Sequence, residues 1–467
     1  MKFTKIVSTI GPASETLEQI EGLIKAGVNV FRLNFKHGEP AKHEMYVHSI
    51  REVSQKLGVV PSIIMDLQGP SFRLILSTPT IELKKGMRVK LGTPDFTLTH
   101  PHIIPLLQVG NEILVDDGTI RFTVEEAGEV VTLLCHTDTI MKTRKSLNIP
   151  GVDFPVELLT ERDIIGVDLA VKNQLDWVAV SFVRNAQDIK DVRAKCAERG
   201  YTGPLIAKLE TRQCLDFLEE IVRETDAVMV ARGDLAVESP IERVPLHQKC
   251  MIDLCLKYDK PVIVATQMMS SMEKNPFPTR AEVSDAANAI YDRTDAIMTS
   301  GETAAGVYPV ETIQMMSKIA EFHEMEGNHY MSRSVHMELL DKPSRIAHAA
   351  YKIYQDYLTT GTHVKAFVVF TNTGRMARLL SHYRADAPIY AFTPSVSIAG
   401  RLALSYGVYP RMHDEPTGEV SKDQVSESIE KLKSEGLLKK GDAVIVTHGD
   451  YWGAKGGTSS LRIVEIS

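Results

Sequence analysis

Eight times along the chain, a short apolar run gives way to a stretch with the 3.6-residue period of a helix. Strands are expected at Lys5–Ser8, Val28–Leu33 and Val60–Met65, with a helix over Leu17–Lys25. The alternation stops after Arg73. From Leu74 to Asn148 the chain is rich in Val, Ile, Thr and turn signals, as in Asn111-Glu112-Ile113-Leu114-Val115-Asp116-Asp117-Gly118. That segment has no helical period and reads as a small all-β module inserted into the alternating fold. Strands followed by helical stretches resume at Trp177–Ser181, Leu205–Leu209, Ala227–Val230, Val262–Ala265 and Ala296–Thr299. Three strands before the insertion and five after it make eight βα units. Eight is the count of a (β/α)8 barrel, the TIM-barrel architecture; an open parallel sheet of six or seven strands is the alternative.

After a long helix ending near Glu326 comes a polar stretch, Gly327–Arg333, and then a separate α/β segment. Its strands are expected at Ala366–Phe370, Ile389–Phe392, Ala443–Thr447 and Leu461–Ile466, a doubly wound arrangement. The expected domains are a barrel of residues 1–73 and 149–335, a β module of residues 74–148, and a C-terminal α/β domain of residues 341–467.

Composition mainly excludes. A net charge of −7 argues against a dedicated nucleic-acid binder. No apolar run approaches the ~18 residues of a spanning helix. Met1–Lys5 does not open a signal peptide, so a cytoplasmic protein with no membrane partner is expected. The five cysteines are odd in number and form no CxxC, which suits reduced thiols.

Chemistry is expected where apolar strands end in polar residues. Residues i and i+2 of a strand share a face. Lys208 and Glu210 therefore share one with Ile206, Arg32 and Asn34 with Val30, Asp66 with Ile64, and Thr266 with Val264. The C-terminal ends of barrel strands are where such enzymes build their sites. One charge of this kind is usually a buried ion pair. Several together favour an active site, since each unpaired ion would cost several kcal/mol. Arg232-Gly233-Asp234 follows a strand, and its glycine lets a ligand approach the backbone. Glu210 and Asp234 are hard oxygen donors suited to Mg²⁺ or Mn²⁺, and a neighbouring Lys208 would complete a site for phosphoryl transfer. His37, His43 and His48 form no HxxxH pair, and His43 and His48 read as surface helix residues. Gly453–Thr458 is a glycine-rich loop without the GK[ST] step of a phosphate loop.

The chain resembles pyruvate kinase in Thr4–Ala13, Arg32-Leu33-Asn34-Phe35 with His37-Gly38, Val230-Ala231-Arg232-Gly233-Asp234-Leu235, and Ala265-Thr266-Gln267-Met268. Pro278–Glu282, Ser300-Gly301-Glu302-Thr303-Ala304, Thr371–Arg375 and Tyr406–Pro410 fit the same family. The resemblance implies a barrel, a β lid and a C-terminal α/β domain, assembled as a homotetramer. It implies transfer of the phosphoryl group of phosphoenolpyruvate to ADP, giving pyruvate and ATP in glycolysis. By resemblance, Arg32 would hold the phosphoryl group, and Ser181, Arg232 and the backbone N–H groups of Gly233 and Asp234 would belong to the substrate site. Glu210 and Asp234 would bind the divalent ion, Lys208 would neutralise moving charge, and Thr266 would serve the relay that protonates the enolate. Asn34, His37, Arg73 and Lys145 would face the nucleotide. A catalytically impaired phosphoenolpyruvate-binding paralogue and another Mg²⁺-dependent enolpyruvate barrel enzyme are the alternatives.

The chain also departs from the family pattern. The lid is short, and Asp66-Leu67-Gln68-Gly69-Pro70-Ser71-Phe72-Arg73 stands where the family usually has Asp-Thr-Lys-Gly-Pro-Glu-Ile-Arg. Ala236 and Ala305 replace a glycine and a lysine. Lys36 stands at the family's serine in the K⁺ site, whose other members would be Asn34, Asp66 and the Leu67 carbonyl. An ammonium there would compete with K⁺, so K⁺ independence is expected, with Lys36 in its place. Thr371, Thr373, Gly374 and Arg375 form a candidate effector loop for phosphate, the alternative being a capped strand–helix turn.

Overall fold

A computed structural model describes residues 1–152, 154, 156–327, 339, 341–359, 363–413, 422–449 and 457–467. Residues 328–333 of the expected polar stretch and Gly453–Gly456 of the glycine-rich loop lie outside the described residues.

Eight parallel strands close into a barrel: β1 (Lys5–Thr9), β2 (Val30–Asn34), β3 (Ser62–Asp66), β4 (Trp177–Val180), β5 (Leu205–Leu209), β6 (Ala227–Ala231), β7 (Val262–Ala265) and β8 (Ala296–Thr299). Each pairs with its neighbours in chain order, and β8 returns to β1. Closure decides against the open sheet. Val7, Val30, Ile64, Ile206, Ile263 and Met298 belong to the cluster that fills the interior. A second, larger cluster lies between the strands and the surrounding helices, with Phe31, Met65, Leu209 and Val264 among its members.

The floor of the barrel repeats one device four times. Asn29, Asp176, Asp226 and Asp295 stand directly before β2, β4, β6 and β8. Their side chains accept the N–H groups of Ile6 at 3.1 Å, Ile63 at 2.8 Å, Leu205 at 2.9 Å and Val262 at 3.1 Å. Each bond satisfies a backbone donor near the start of the preceding strand.

The lid is inserted between β3 and the helix Glu161–Lys172. It holds a seven-stranded sheet, a two-stranded ribbon of Thr80–Leu83 with Thr139–Lys142, and one 3-10 turn at Pro101–Leu106. Leu91, Ile113, Phe122 and Leu133 lie in its own core.

In the C-terminal domain, β9 (Val364–Phe370), β10 (Ile389–Thr393), β11 (Val408–Met412), β12 (Ala443–Gly449) and β13 (Thr458–Glu465) lie in the order β11-β10-β9-β12-β13. The last strand is antiparallel. Sequence periodicity missed β11 because it contains Pro410 and Arg411 and buries only Val408, the pattern of an edge strand. This domain closes on the barrel floor. Tyr406 N–H donates to Asp295 Oδ1 at 2.9 Å, Arg384 pairs with Asp295 Oδ2 at 2.7 Å, and Leu404 joins the interior cluster. Among the described residues, no helix is long and apolar enough to cross a membrane.

Candidate active site

The interior parity of β2, β3 and β5 delivers three charged side chains to one end of the barrel. Val30, Ile64 and Ile206 point inward, so Arg32, Asp66 and Lys208 follow them two residues later. Arg32 Nε lies 2.6 Å from Asp66 Oδ2, and its Nη1 donates to Thr9 Oγ1 at 3.0 Å. Lys208 Nζ sits 3.3 Å from Asp66 Oδ1 and 3.4 Å from Glu210 Oε2. It donates to Ser181 Oγ at 2.7 Å, and that hydroxyl donates to the Leu67 carbonyl at 2.7 Å. Glu210 Oε1 accepts the Phe182 N–H at 2.8 Å.

These groups are nearly dry. Asp66 and Glu210 are 1% exposed and Arg32 is 8% exposed. Burial opposes the charged form of Asp66, but Arg32 and Lys208 outweigh it and hold its carboxyl below the usual range. Burial likewise opposes the Lys208 ammonium, and Asp66 and Glu210 outweigh it, so its pKa rises. Glu210 differs: burial, relieved in part by Lys208 but reinforced by Asp234, pushes its carboxyl up to about 7. Glu210 Oε2 and Asp66 Oδ1 are buried and accept no hydrogen bond. A desolvated, under-satisfied carboxylate beside the exposed Asp234 suits a divalent cation. Among the described residues no group of three or more such ligands forms a metal centre by itself, so other oxygens would have to come from substrate and water.

Thr266 reaches this end by a different route from the expected one. Val264 faces the outer core, so strand parity with Val264 would turn Thr266 outward. The strand ends at Ala265, and Thr266 and Gln267 adopt φ of +69° and +55°. This backbone is uncommon and costly for a β-branched residue, and such strain clusters at functional sites. The Thr266 hydroxyl accepts the Gly233 N–H at 2.8 Å and donates to the Ala265 carbonyl at 2.6 Å.

Arg232 is not brought to the charged cluster. Its guanidinium donates to the Ala265 carbonyl at 3.2 Å and the Thr266 carbonyl at 2.6 Å, and pairs with Asp285 at 2.7 Å. It braces the turn that carries Thr266. A short helix begins at Arg232 itself and runs to Glu238.

A cavity opens between lid and barrel, lined by Lys36, Arg73, Asp117, Asn148, Arg184 and Asp234 among others. Asn148 of the lid donates to Glu238 Oε1 at 2.8 Å, tying lid to barrel beside Asp234. Arg73 donates to the Arg144 carbonyl at 2.8 Å, and Lys145 pairs with Asp116 at 2.8 Å. His37 is exposed at the rim, its pKa lowered by partial desolvation and by the charges of Lys36, Arg32, Arg73 and Arg162. His48 is exposed as expected, but His43 is buried, with Nε2 2.7 Å from the His37 carbonyl and its ring against Phe35 and Tyr46. The surface reading of His43 is therefore corrected: it packs under the loop that carries His37.

Of the K⁺-site oxygens, Asn34 Oδ1 accepts the Lys36 N–H at 3.3 Å, Asp66 is shared by Arg32 and Lys208, and the Leu67 carbonyl serves Ser181. The Lys36 side chain is exposed. In the C-terminal loop, Thr371 Oγ1 accepts the Gly374 N–H at 2.9 Å, while Arg375 pairs with Asp341 at 2.5 Å.

Sequence reasoning missed Asp163, a fully buried carboxylate that accepts the N–H groups of Gln68 at 2.7 Å and Gly69 at 3.1 Å. The signal was present as Thr160-x-x-Asp163, a capping box that opens the helix Glu161–Lys172.

Comparison with known proteins agrees with this geometry. A family model described as pyruvate kinase, barrel domain, matches residues 1–313, and one described as pyruvate kinase, alpha/beta domain, matches residues 344–464. The pyruvate kinases of Staphylococcus saprophyticus and Geobacillus stearothermophilus are each 38% identical to the chain, covering 99% of it and 80% of the relative. A crystal structure of a pyruvate kinase from Cryptosporidium parvum superposes with a TM-score of 0.92 at 32% identity, covering 100% of this chain and 96% of the other.

Proposed function

Since the chain belongs to the pyruvate kinase family and is a phosphotransferase, we propose that Arg32, Lys208 and Thr266 carry phosphoryl transfer from phosphoenolpyruvate to ADP. The observation that supports this most is the Lys208 ammonium, held between Asp66, Glu210 and Ser181 at the mouth of the barrel.

In this reading the bond between phosphorus and the enol oxygen breaks while one forms to a terminal oxygen of ADP. Arg32 and Lys208 face the transferring group as fixed cations, so no reorganisation is needed when its charge moves. The electron pair left on the enol oxygen gives an enolate that Lys208 stabilises. A proton then reaches the enolate carbon by a relay that includes the Thr266 hydroxyl. Glu210 and Asp234 would hold Mg²⁺ or Mn²⁺, and the buried Glu210 Oε2, which accepts no hydrogen bond, fits that task. When bound, the ion supplies Lewis-acid charge to the substrate's carboxylate and phosphoryl oxygens. His37, Arg73, Lys145 and Asn34 would line the nucleotide side.

K⁺ independence is part of the proposal. It is supported by an Asp66 carboxylate that two cations already share and by the replacement of a family glutamate with Ser71. Lys36 would supply the fixed charge from the rim. For the loop Thr371–Arg375 the proposal is a phosphate-binding turn in which Arg375 exchanges Asp341 for phosphate. A panel of sugar phosphates that shifted neither activity nor melting temperature would return it to an ordinary strand–helix turn. Homotetrameric assembly and a cytoplasmic location complete the reading, the former open to analytical ultracentrifugation.

The deciding experiment is a coupled assay for pyruvate from phosphoenolpyruvate with and without ADP. ADP-dependent pyruvate supports the proposal. Tight phosphoenolpyruvate binding without turnover would select the impaired paralogue.

A further inference from the structure

We infer that Arg162 is a positioning residue for the nucleotide side of the reaction, acting through the loop Phe35–Gly38. This rests on the phosphotransferase reading above and adds to it a residue that touches no reacting atom.

Four contacts converge on that loop, three from Arg162 and one from His43. Arg162 Nε donates to the Phe35 carbonyl at 2.8 Å, and its Nη2 donates to the Gly38 carbonyl. Its guanidinium lies over the Phe35 ring, 5.0 Å from the centroid. Of the two carbonyls between them, that of His37 is engaged by the buried His43. Three carbonyls of the loop are thus held from beneath, while Lys36 and His37 are exposed at the rim. Gly38 turns the chain at φ +78°, a conformation that asks for glycine.

The helix that carries Arg162 is itself seated hard against this region. A Cβ on Gly166, one turn later, would stand 2.9 Å from Leu67 Cδ2 and 3.0 Å from Phe35 Cδ1. Asp163 holds the Gln68–Gly69 turn from the same first turn. This helix is the first element after the lid's last strand, Lys145–Asn148, and Thr160 caps it. One helical turn therefore grips both the loop after β2 and the loop after β3 from which the lid departs. Within it, Arg162 serves the Phe35–Gly38 loop, and Asp163 serves the loop that follows Asp66. Guanidinium geometry matters here: two carbonyls and a ring face demand a planar fork, which an ammonium lacks.

The test uses the full chain with Arg162→Gln and Arg162→Lys. Steady-state turnover is measured against ADP and against phosphoenolpyruvate, and pyruvate methyl-proton exchange is followed by NMR without nucleotide. Arg162→Gln is expected to raise the KM for ADP about tenfold. The KM for phosphoenolpyruvate should stay within twofold, and nucleotide-free exchange should be retained. Arg162→Lys, which keeps charge and one donor, should recover part of the ADP affinity while changing melting temperature little. An unchanged KM for ADP would overturn the inference. So would a parallel loss of ADP kinetics, phosphoenolpyruvate kinetics and exchange, since that marks a general structural role. If Arg162→Gln does not fold, Arg162→Lys decides alone by the same split. Failure of the unmodified protein to make pyruvate in the presence of ADP would instead refute the phosphotransferase reading, a distinguishable result.

Discussion

Lys208 illustrates how much a single side chain can be asked to do in a dry site. Its two carboxylate neighbours keep it charged, and Ser181 aims it. Because its charge acts most strongly as negative charge develops, Lys208→Ala is expected to lower kcat by roughly 10²-fold or more. A variant that raised only KM would contradict the role. Lys36 tests the same physics at the rim. Turnover in tetramethylammonium buffer is expected to persist without K⁺ in the unmodified protein, and Lys36→Ser is expected to become K⁺-dependent. Activation of the unmodified protein by roughly tenfold or more on adding KCl would sink the idea. Arg32, Asp66, Lys208 and Glu210 were legible in the sequence because strand parity is local and holds to the ends of these strands. Arg232 and Thr266 were harder. What Arg232 braces lies 33 or more residues away in the chain, and the turn of Thr266 into left-handed backbone breaks the parity that a strand would obey.

Among the elements, the helix Glu161–Lys172 connects sequence to site most directly. It needs Gly166, where a methyl group would press on Leu67 and the Phe35 ring at 3.0 Å or less. Gly166→Ala gains helix propensity of just under about 1 kcal/mol, but overpacking costs about 1–3 kcal/mol. A net loss of stability is therefore expected, visible as a lower urea midpoint, together with a lower kcat because both catalytic loops rest on the helix. A midpoint at or above that of the unmodified protein would show that the helix can shift without consequence. Element types were readable along the barrel because βα alternation repeats. The repeated Asn or Asp before alternate strands was equally present, as Asn29-Val30, Asp176-Trp177, Asp226-Ala227 and Asp295-Ala296, but its meaning depends on pairing between strands. The edge strand β11 stayed hidden because its proline and half-buried flank imitate a loop.

Barrel and C-terminal domain meet at two of those floor carboxylates, Asp176 and Asp295, so their ionisation bears on the whole molecule. Asp176 accepts the Ile63 N–H at 2.8 Å, and the helix Val396–Leu402 lies so close that a Cβ on Gly400 would stand 2.1 Å from Asp176 Oδ1. Burial pushes this carboxyl up to about 7, against the weaker pull of Arg401 and Arg51. Its ordinary value is 3.8, so between about pH 4 and 7 the folded chain keeps a proton that the unfolded chain has lost. The state that binds more protons is favoured as pH falls; stability should therefore decline as pH rises through this window. At about 1.4 kcal/mol per pKa unit the ceiling is on the order of 4 kcal/mol, less whatever solvent reaches the group as it ionises. Asp176→Asn keeps an oxygen for Ile63 and has no proton to lose. The margin of its denaturation midpoint over that of the unmodified protein is expected to grow from about pH 4 to about pH 7 and to level off above. Other buried acids, among them Asp259 with a carboxyl pushed up to about 6, titrate in both proteins and cancel in the difference. Parallel pH profiles for the two proteins would mean that Asp176 is ionised in the folded chain at neutral pH, and that the contact between the domains tolerates its charge.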